Sequence, residues 1–208
     1  MVEVGYVSLV AALVLAIFGI VVNWLGVRHK RAELITSGQN AVYAVGLLVL
    51  VATLALWHAI LTMDFSVEYV ATHVERALPL LYKLSALWGG QAGSLLFWTL
   101  ILSGYSVLAV RTLRRQQREL MPYAAAVLLG ISAFFLITLL SAANPFKRLD
   151  FTPADGQGLN PLLQNYWMVV HPVGLYLGFV GFSVPFACAV AALASRQLDN
   201  RWVRGMRR

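Results

Sequence analysis

Charged residues are scarce in this sequence. Only 12% of its 208 residues are Asp, Glu, Lys or Arg, and 60% are hydrophobic, whereas a soluble domain carries about twice that charged fraction. Several apolar runs exceed the roughly 18 residues that mark a membrane-spanning helix. The composition therefore excludes a soluble core. It predicts an all-α, polytopic membrane helix bundle, with residues 1–208 forming a single transmembrane domain.

Three further absences narrow the function. The only cysteine, Cys188, lies in an apolar segment, so the chain has neither an internal disulfide nor a Cys-x-x-Cys motif, and a lone buried cysteine usually acts as a small hydrophobe. No basic residue precedes the first apolar run, unlike a signal peptide, so we expect that run to remain as a helix. No acid lies inside a predicted span, which argues against a proton-driven transporter.

Five spans are predicted from the apolar runs, each near or above the roughly 20 residues that a bilayer requires. They are Val4–Val27, Ala41–Leu61, Gly89–Val110, Tyr123–Ala142 and Trp167–Ser195. Of the 16 Lys and Arg residues, 12 lie in 28–40, 111–120 and from 196 onward, and four lie in 62–88 and 143–166. Because basic residues mark the cytoplasmic side, we predict an external amino terminus and a cytoplasmic carboxy terminus. The same placement favours contact with membrane lipid and argues against nucleic acid.

The two less basic connections, 62–88 and 143–166, are then external. The first contains scattered Phe, Tyr and Leu residues, and we expect it to form short amphipathic pieces on the membrane surface. The second has three prolines and two Asn-Pro steps, which are turn signals. A connection of that length is more often functional than not.

Of the four histidines, His171 has the most suggestive surroundings. His29 lies in a basic cluster, His58 near the outer end of the second span, and His73 among charges in an external connection, where we expect it to be solvated. His171 follows an apolar, aromatic stretch and precedes Pro172, a residue suited to the first turn of a helix. A neutral imidazole there is a competent haem-iron ligand. From the residues alone, a structural histidine at the membrane surface is an equal alternative.

Glycines recur at small-xxx-small spacing, which allows helices to approach closely. One pair is Gly174 and Gly178, and the other is Gly89 and Gly93 within "LWGGQAGSLLFW" (87–98). Simple packing within the bundle explains each pair by itself. In the second stretch we also expect Trp88 to lie at the headgroup level, where Trp is a common anchor.

Several motifs together resemble the amino-terminal part of the haem-lyase membrane subunits CcmF and NrfE, in the wider CcmF, CycK and CcsA family. They are "DFSVEYVA" (64–71), "LPLLYKLSALWGGQAGSLLFW" (78–98), "ANPFKRL" (143–149), "DGQGLNPLLQN" (155–165) and "HPVGLYLGFVGFSVPFA" (171–187). They occur in the family's order and spacing across nearly the whole chain.

The resemblance implies a role in cytochrome c maturation at the bacterial inner membrane or an organellar equivalent. It implies that haem b is received from a periplasmic haem chaperone and held at the external face, where thioether bonds to apocytochrome c form. By motif position, His171 matches an axial haem ligand. Residues that we expect to line the haem chamber are Trp88, Gly89, Gly90, Gln91, Gly93 and Pro172. Expected protein partners also include apocytochrome-binding thioreductase and membrane subunits of the lyase complex.

The sequence departs from the family pattern in three ways. Ala92 stands where the family usually has an acid, and Val173 follows Pro172 where a second proline is common. The family's Trp-rich haem-binding segment and its other haem-ligand histidines lie further along than this chain extends. We therefore expect a split-gene half or a truncated product, which needs a chain carrying the Trp-rich part for haem binding and for any catalysis.

Three hypotheses follow. The first is a haem-lyase subunit or fragment with His171 as one axial ligand. The second is a membrane scaffold that binds no haem and holds partner subunits through its glycine faces. The third is a small-molecule transporter, but the sequence lacks the internal symmetry and the intramembrane charges that this function requires.

Overall fold

A computed structural model describes residues 1–197, and over that range the chain is helical with no β-strand. Among the described residues, eight α-helices follow one another: α1 (Val2–Arg28), α2 (Ala32–Leu61), α3 (Glu68–His73), α4 (Leu80–Ser85), α5 (Gln91–Gln116), α6 (Met121–Ser141), α7 (Tyr166–Gly181) and α8 (Ser183–Ser195). Short 3-10 turns occupy Ala86–Trp88 and Pro161–Leu163. Five spans are long and apolar enough to cross a membrane, with α7 and α8 together making the fifth. The prediction of a five-span, all-α bundle is confirmed. Apart from Arg196 and Gln197, the tail predicted to be cytoplasmic lies outside the described residues.

The second span begins nine residues earlier than predicted, at Ala32 instead of Ala41. In the polar start of α2, the Thr36 and Ser37 hydroxyls donate hydrogen bonds to carbonyls four residues earlier, so they are bonded within the helix. Gly38 also lets α2 pack directly against Asn23 of α1, since a Cβ there would overlap the Asn23 side chain. At 1.5 Å per residue, α2 is about 45 Å long, so it extends beyond a hydrocarbon core of about 30 Å.

The fifth span is broken at Phe182, where a single helix over 167–195 was predicted. Pro185 has no N–H, so the carbonyl of Gly181 lacks its usual donor four residues later. Close to this position, the Phe182 amide donates to the carbonyl of Phe179, three residues earlier, at 3.2 Å. This tighter turn divides the span into α7 and α8.

The connections 62–88 and 143–166 pack together at one end of the bundle. The amide of Glu68 donates to the carbonyl of Lys147 and that of Leu149 to the carbonyl of Ser66, both at 2.9 Å. The Lys147 ammonium also lies 2.8 Å from the Glu68 carboxylate, and this ion pair raises the pKa of Lys147.

Short helices are confirmed in the first connection, but α3 is not simply a surface piece. Its residues Tyr69, Val70 and Ala71 are buried in the core of the bundle. By contrast, Leu80, Leu81 and Leu84 of α4 are exposed. The two connections thus form one layer, and its placement on the external side of the membrane stays a prediction.

Candidate functional site

The glycine-rich stretch before α5 is folded around one tyrosine. The Tyr69 hydroxyl lies 2.8 Å from the carbonyl oxygen of Ala86 and 3.0 Å from that of Leu87, and it donates its proton to this pair. It also accepts a hydrogen bond from the Gly90 amide at 3.1 Å. Burial raises the pKa of the Tyr69 phenol, so the group remains a neutral donor. The bonds of one side chain thus fix the path of residues 86–90.

His73 lies beside this tyrosine instead of being solvated, so that prediction is wrong. The imidazole stacks on the Tyr69 ring with centroids 4.3 Å apart, because residues four apart share one face of a helix. Its Nδ1 lies 2.9 Å from the Tyr69 carbonyl and 2.8 Å from the Thr72 hydroxyl. Since that hydroxyl donates to the Glu68 carbonyl, Nδ1 carries the proton and Nε2 the lone pair. Burial lowers the pKa of His73, which keeps the ring neutral near pH 7.

Gly89, Gly90 and Gly93, which were predicted to line a haem chamber, allow close packing of residues from the connecting segments. A Cβ at Gly90 would overlap the His73 ring, and one at Gly93 would overlap the Leu87 carbonyl oxygen and the Tyr69 hydroxyl. At Gly89 a Cβ would lie 2.6 Å from Leu159 Cδ1. The absence of side chains is therefore explained by packing of the protein on itself. Whether the stretch also lines a haem chamber stays a prediction.

Trp88 and Gln91 differ from those glycines in what surrounds them. The Trp88 indole is half-buried against Phe97, with centroids 5.1 Å apart, and its Nε1 is buried without an acceptor in the described chain. Gln91 is exposed in the first turn of α5 and makes no side-chain hydrogen bond within residues 1–197.

His171 lies in the second turn of α7, so Pro172 does not occupy the first turn of a helix, the position to which it is suited. The helix begins at Tyr166 because the Asn165 side chain caps it, accepting from the Trp167 amide at 2.9 Å. Pro172 is consequently inside the helix, where its missing N–H leaves the Met168 carbonyl without its helical donor. His171 is exposed and makes no side-chain hydrogen bond within the described chain.

One face of α7 is open along its whole length. Trp167, His171, Gly174 and Gly178 follow at spacings of four, three and four residues, which places them on one side of a helix. All four are exposed, and a Cβ added at either glycine would meet nothing within 4 Å. The imidazole thus stands on a face that no described residue covers beside the two glycines.

The opposite side of α7 is joined to the glycine-rich stretch by aromatic rings. Phe97 contacts Trp88 on one side and Tyr176 on the other, the second with centroids 5.9 Å apart. Tyr176 also lies 5.5 Å from Trp98. Tyr176 is five residues after His171, about 140° around the helix axis. The structure therefore connects Trp88 to α7, but it does not bring Trp88 to the face that carries His171.

The remaining histidines do not form a metal cluster. His29 follows α1 and His58 lies in the last turn of α2, and both are exposed. Within residues 1–197, no three His, Cys, Asp or Glu side chains come together in a way that could hold a bare metal ion. The site therefore offers a single open imidazole.

Known proteins resemble this chain over nearly all of its length. It is 42% identical over 207 residues to the cytochrome c-type biogenesis protein CcmF of Pseudomonas fluorescens, covering 99% of this chain and 31% of that protein. CcmF of Escherichia coli K12 is 36% identical over 203 residues, covering 97% and 31%. NrfE of Haemophilus influenzae is 35% identical over 206 residues, covering 99% and 32%.

A solved structure, that of the cytochrome c heme lyase CcmF, superimposes with a TM-score of 0.84 at 34% identity, covering 99% of this chain and 32% of that one. The chain thus spans about a third of the length of these relatives. The sequence profile described as "Cytochrome C assembly protein" matches residues 88–207, more than half of the chain. The chain is a multi-pass protein of the bacterial inner membrane that corresponds to the amino-terminal part of CcmF, and it belongs to the cytochrome c assembly protein family.

Proposed function

We propose that this chain acts in cytochrome c maturation as the amino-terminal part of a haem lyase, with His171 as one axial ligand of the haem that is to be attached. The observation that carries the proposal is the open face of α7, where an exposed imidazole stands next to Gly174 and Gly178. Haem b supplies the vinyl groups that react with the cysteine sulfurs of apocytochrome c. The residues of this chain bind and orient the haem.

The open face suits a flat macrocycle. Gly174 and Gly178, three and seven residues after His171, share its side of α7 and have open space beside them, so they would leave room for the macrocycle. Trp167, one turn before His171 and 71% exposed, offers an aromatic edge on the same face.

The other walls of the site come from outside this third of the family's length. We propose that the segments making up the rest of the relatives supply a second axial ligand and cover the α7 face. A periplasmic haem chaperone delivers the haem, and thioreductase-type and other membrane subunits present the reduced apocytochrome. An external position for the 62–88 and 143–166 layer, as the charge distribution predicts, places His171 on the side where these partners act.

The test uses the chain assembled with those remaining segments. Gly174→Leu should fill the open space beside His171 and reduce the haem absorbance of the complex. Because this position is open, the fold of the chain itself should remain. Leu177→Met is the matched control, since Leu177 is exposed on α7 but about 120° from His171. Equal haem content in all three complexes would refute the proposed haem face.

A scaffold without haem is the second candidate, favoured by the same small-residue spacing. Gly174 and Gly178 would then receive another transmembrane helix, which close glycine faces permit. In that case Gly174→Leu prevents assembly of the complex, while His171→Ala leaves both assembly and cytochrome maturation unchanged. Measuring complex assembly separately from haem content distinguishes the two functions.

A further inference from the structure

A large groove lies between α2 and α5, at the opposite end of the bundle from the layer of connecting segments. It encloses about 1150 Å³. Four arginines from the end of α5 and the residues after it border the groove: Arg111, Arg114, Arg115 and Arg118. The spacing of Arg111, Arg114 and Arg115 places them on one side of α5, and Arg118 follows the end of that helix at Gln116.

Among residues 1–197, no ion pair neutralises the charge of these arginines. No acidic residue within the described range 1–197 lines the groove. The ion pairs found in the described chain involve Lys147 and Arg148, at the other end of the molecule. All four arginines are exposed, and none makes a side-chain hydrogen bond within residues 1–197. Over the described part of the chain, the groove therefore presents four unpaired guanidinium groups.

The depth of the groove is apolar. Leu47 and Leu50 of α2 line it, and they are 61% and 41% exposed. The two helices approach closely at Gly46, where a Cβ would lie 3.2 Å from Val107 Cγ2. Thus α2 and α5 enclose a space that is basic at the helix end and apolar further into the predicted membrane.

We propose that this groove binds an anionic phospholipid of the leaflet in which the arginines lie. Guanidinium groups match phosphate oxygens in charge and in bidentate geometry, and the leucines match an acyl chain. Basic pockets between transmembrane helices are typical sites for such headgroups. A topology signal by itself requires only basic residues near a span. It requires neither a groove nor an apolar floor continuous with the basic rim.

The experiment measures lipid binding to the detergent-solubilised protein by native mass spectrometry. The probes are cardiolipin and phosphatidylglycerol, with phosphatidylcholine and inorganic phosphate as comparisons. We expect retention of the two anionic lipids, with little retention of phosphatidylcholine or phosphate. Retention of phosphate equal to that of the lipids would overturn the proposal, because it would show an anion site that needs no acyl chain.

The double variant Arg114→Gln/Arg115→Gln should weaken binding of the anionic lipids by about tenfold or more. Lys30→Gln/Arg31→Gln is the matched control, since it removes the same charge from the α1–α2 connection and should bind as the unaltered protein does. Arg118→Gln, beyond the end of α5, provides a milder variant if the double variant does not fold, and should also weaken binding. Equal losses in the groove and control variants would overturn the proposal, because they would show adsorption by net charge alone.

Discussion

Replacing Gly93 by alanine tests the packing of the glycine-rich stretch most sharply. Gly93 is buried in the first turn of α5, and an added Cβ would overlap the backbone carbonyl of Leu87 as well as the Tyr69 hydroxyl. The backbone cannot yield as a flexible side chain does. Overpacking of this kind costs about 1–3 kcal/mol, and each Tyr69 hydrogen bond lost adds about 1 kcal/mol. Alanine regains about 1 kcal/mol of helix propensity, so with one Tyr69 hydrogen bond lost we expect a net loss of about 1–3 kcal/mol.

The same helix provides a matched control. A Cβ at Gly104 would meet nothing within 4 Å, so Gly104→Ala should leave the protein unchanged or stabilise it by up to about 1 kcal/mol. The assay is the free energy of unfolding in mixed micelles, measured by titration with a denaturing detergent. If Gly93→Ala and Gly104→Ala gave the same free energy of unfolding, the close contact of residue 93 with Leu87 and Tyr69 would be refuted.

Two further predictions concern the side chains around that stretch. Tyr69→Phe removes the hydroxyl that the Ala86 carbonyl and the Gly90 amide share, and leaving such buried groups unpaired should lower the free energy of unfolding by about 1–3 kcal/mol; an unchanged value would contradict this bonding. Burial lowers the pKa of His73, so protonation of this ring opposes the folded state. The contribution of the neutral ring to stability is therefore complete above the ordinary pKa of 6.5. It decreases as the pH falls below that value towards the folded pKa. Thermal unfolding at pH 7.5 and 5.5 should show this decrease in the unaltered protein and a smaller one in His73→Gln, and equal decreases in both would exclude His73 as the cause.

The fold was largely predictable because long apolar runs have few alternatives in a membrane. Backbone groups in lipid must be bonded within the segment, so each run forms a helix. The ends of the helices were less predictable. The polar start of α2 is helical because it packs on α1 at Asn23 and Gly38, and this contact joins residues far apart in sequence. Pro185 lies inside the predicted span 167–195, and the break at Phe182 that it signals was not predicted.

The candidate site was predictable only in part. His171 stood out through its neighbours and its motif, and the structure places it on an open face. His73 was missed because its sequence surroundings are polar, although Tyr69 four residues earlier indicated a shared helix face. The role of the glycines at 89–93 depends on Tyr69, His73 and Leu159, which come from other segments. The sequence pattern indicates that small residues are required at 89–93, but it does not identify the side chains that pack against them.

The central claim is ligation of haem by His171. The most direct measurement is the haem absorbance spectrum of the chain assembled with the remaining segments of its family, compared between the unaltered complex and His171→Ala, with cytochrome c maturation scored in parallel. His29→Ala is the control, since His29 follows α1 outside the α7 face. We predict that His171→Ala loses the bis-histidine spectrum and maturation, while His29→Ala keeps both. An unchanged spectrum and full maturation in His171→Ala would contradict the account.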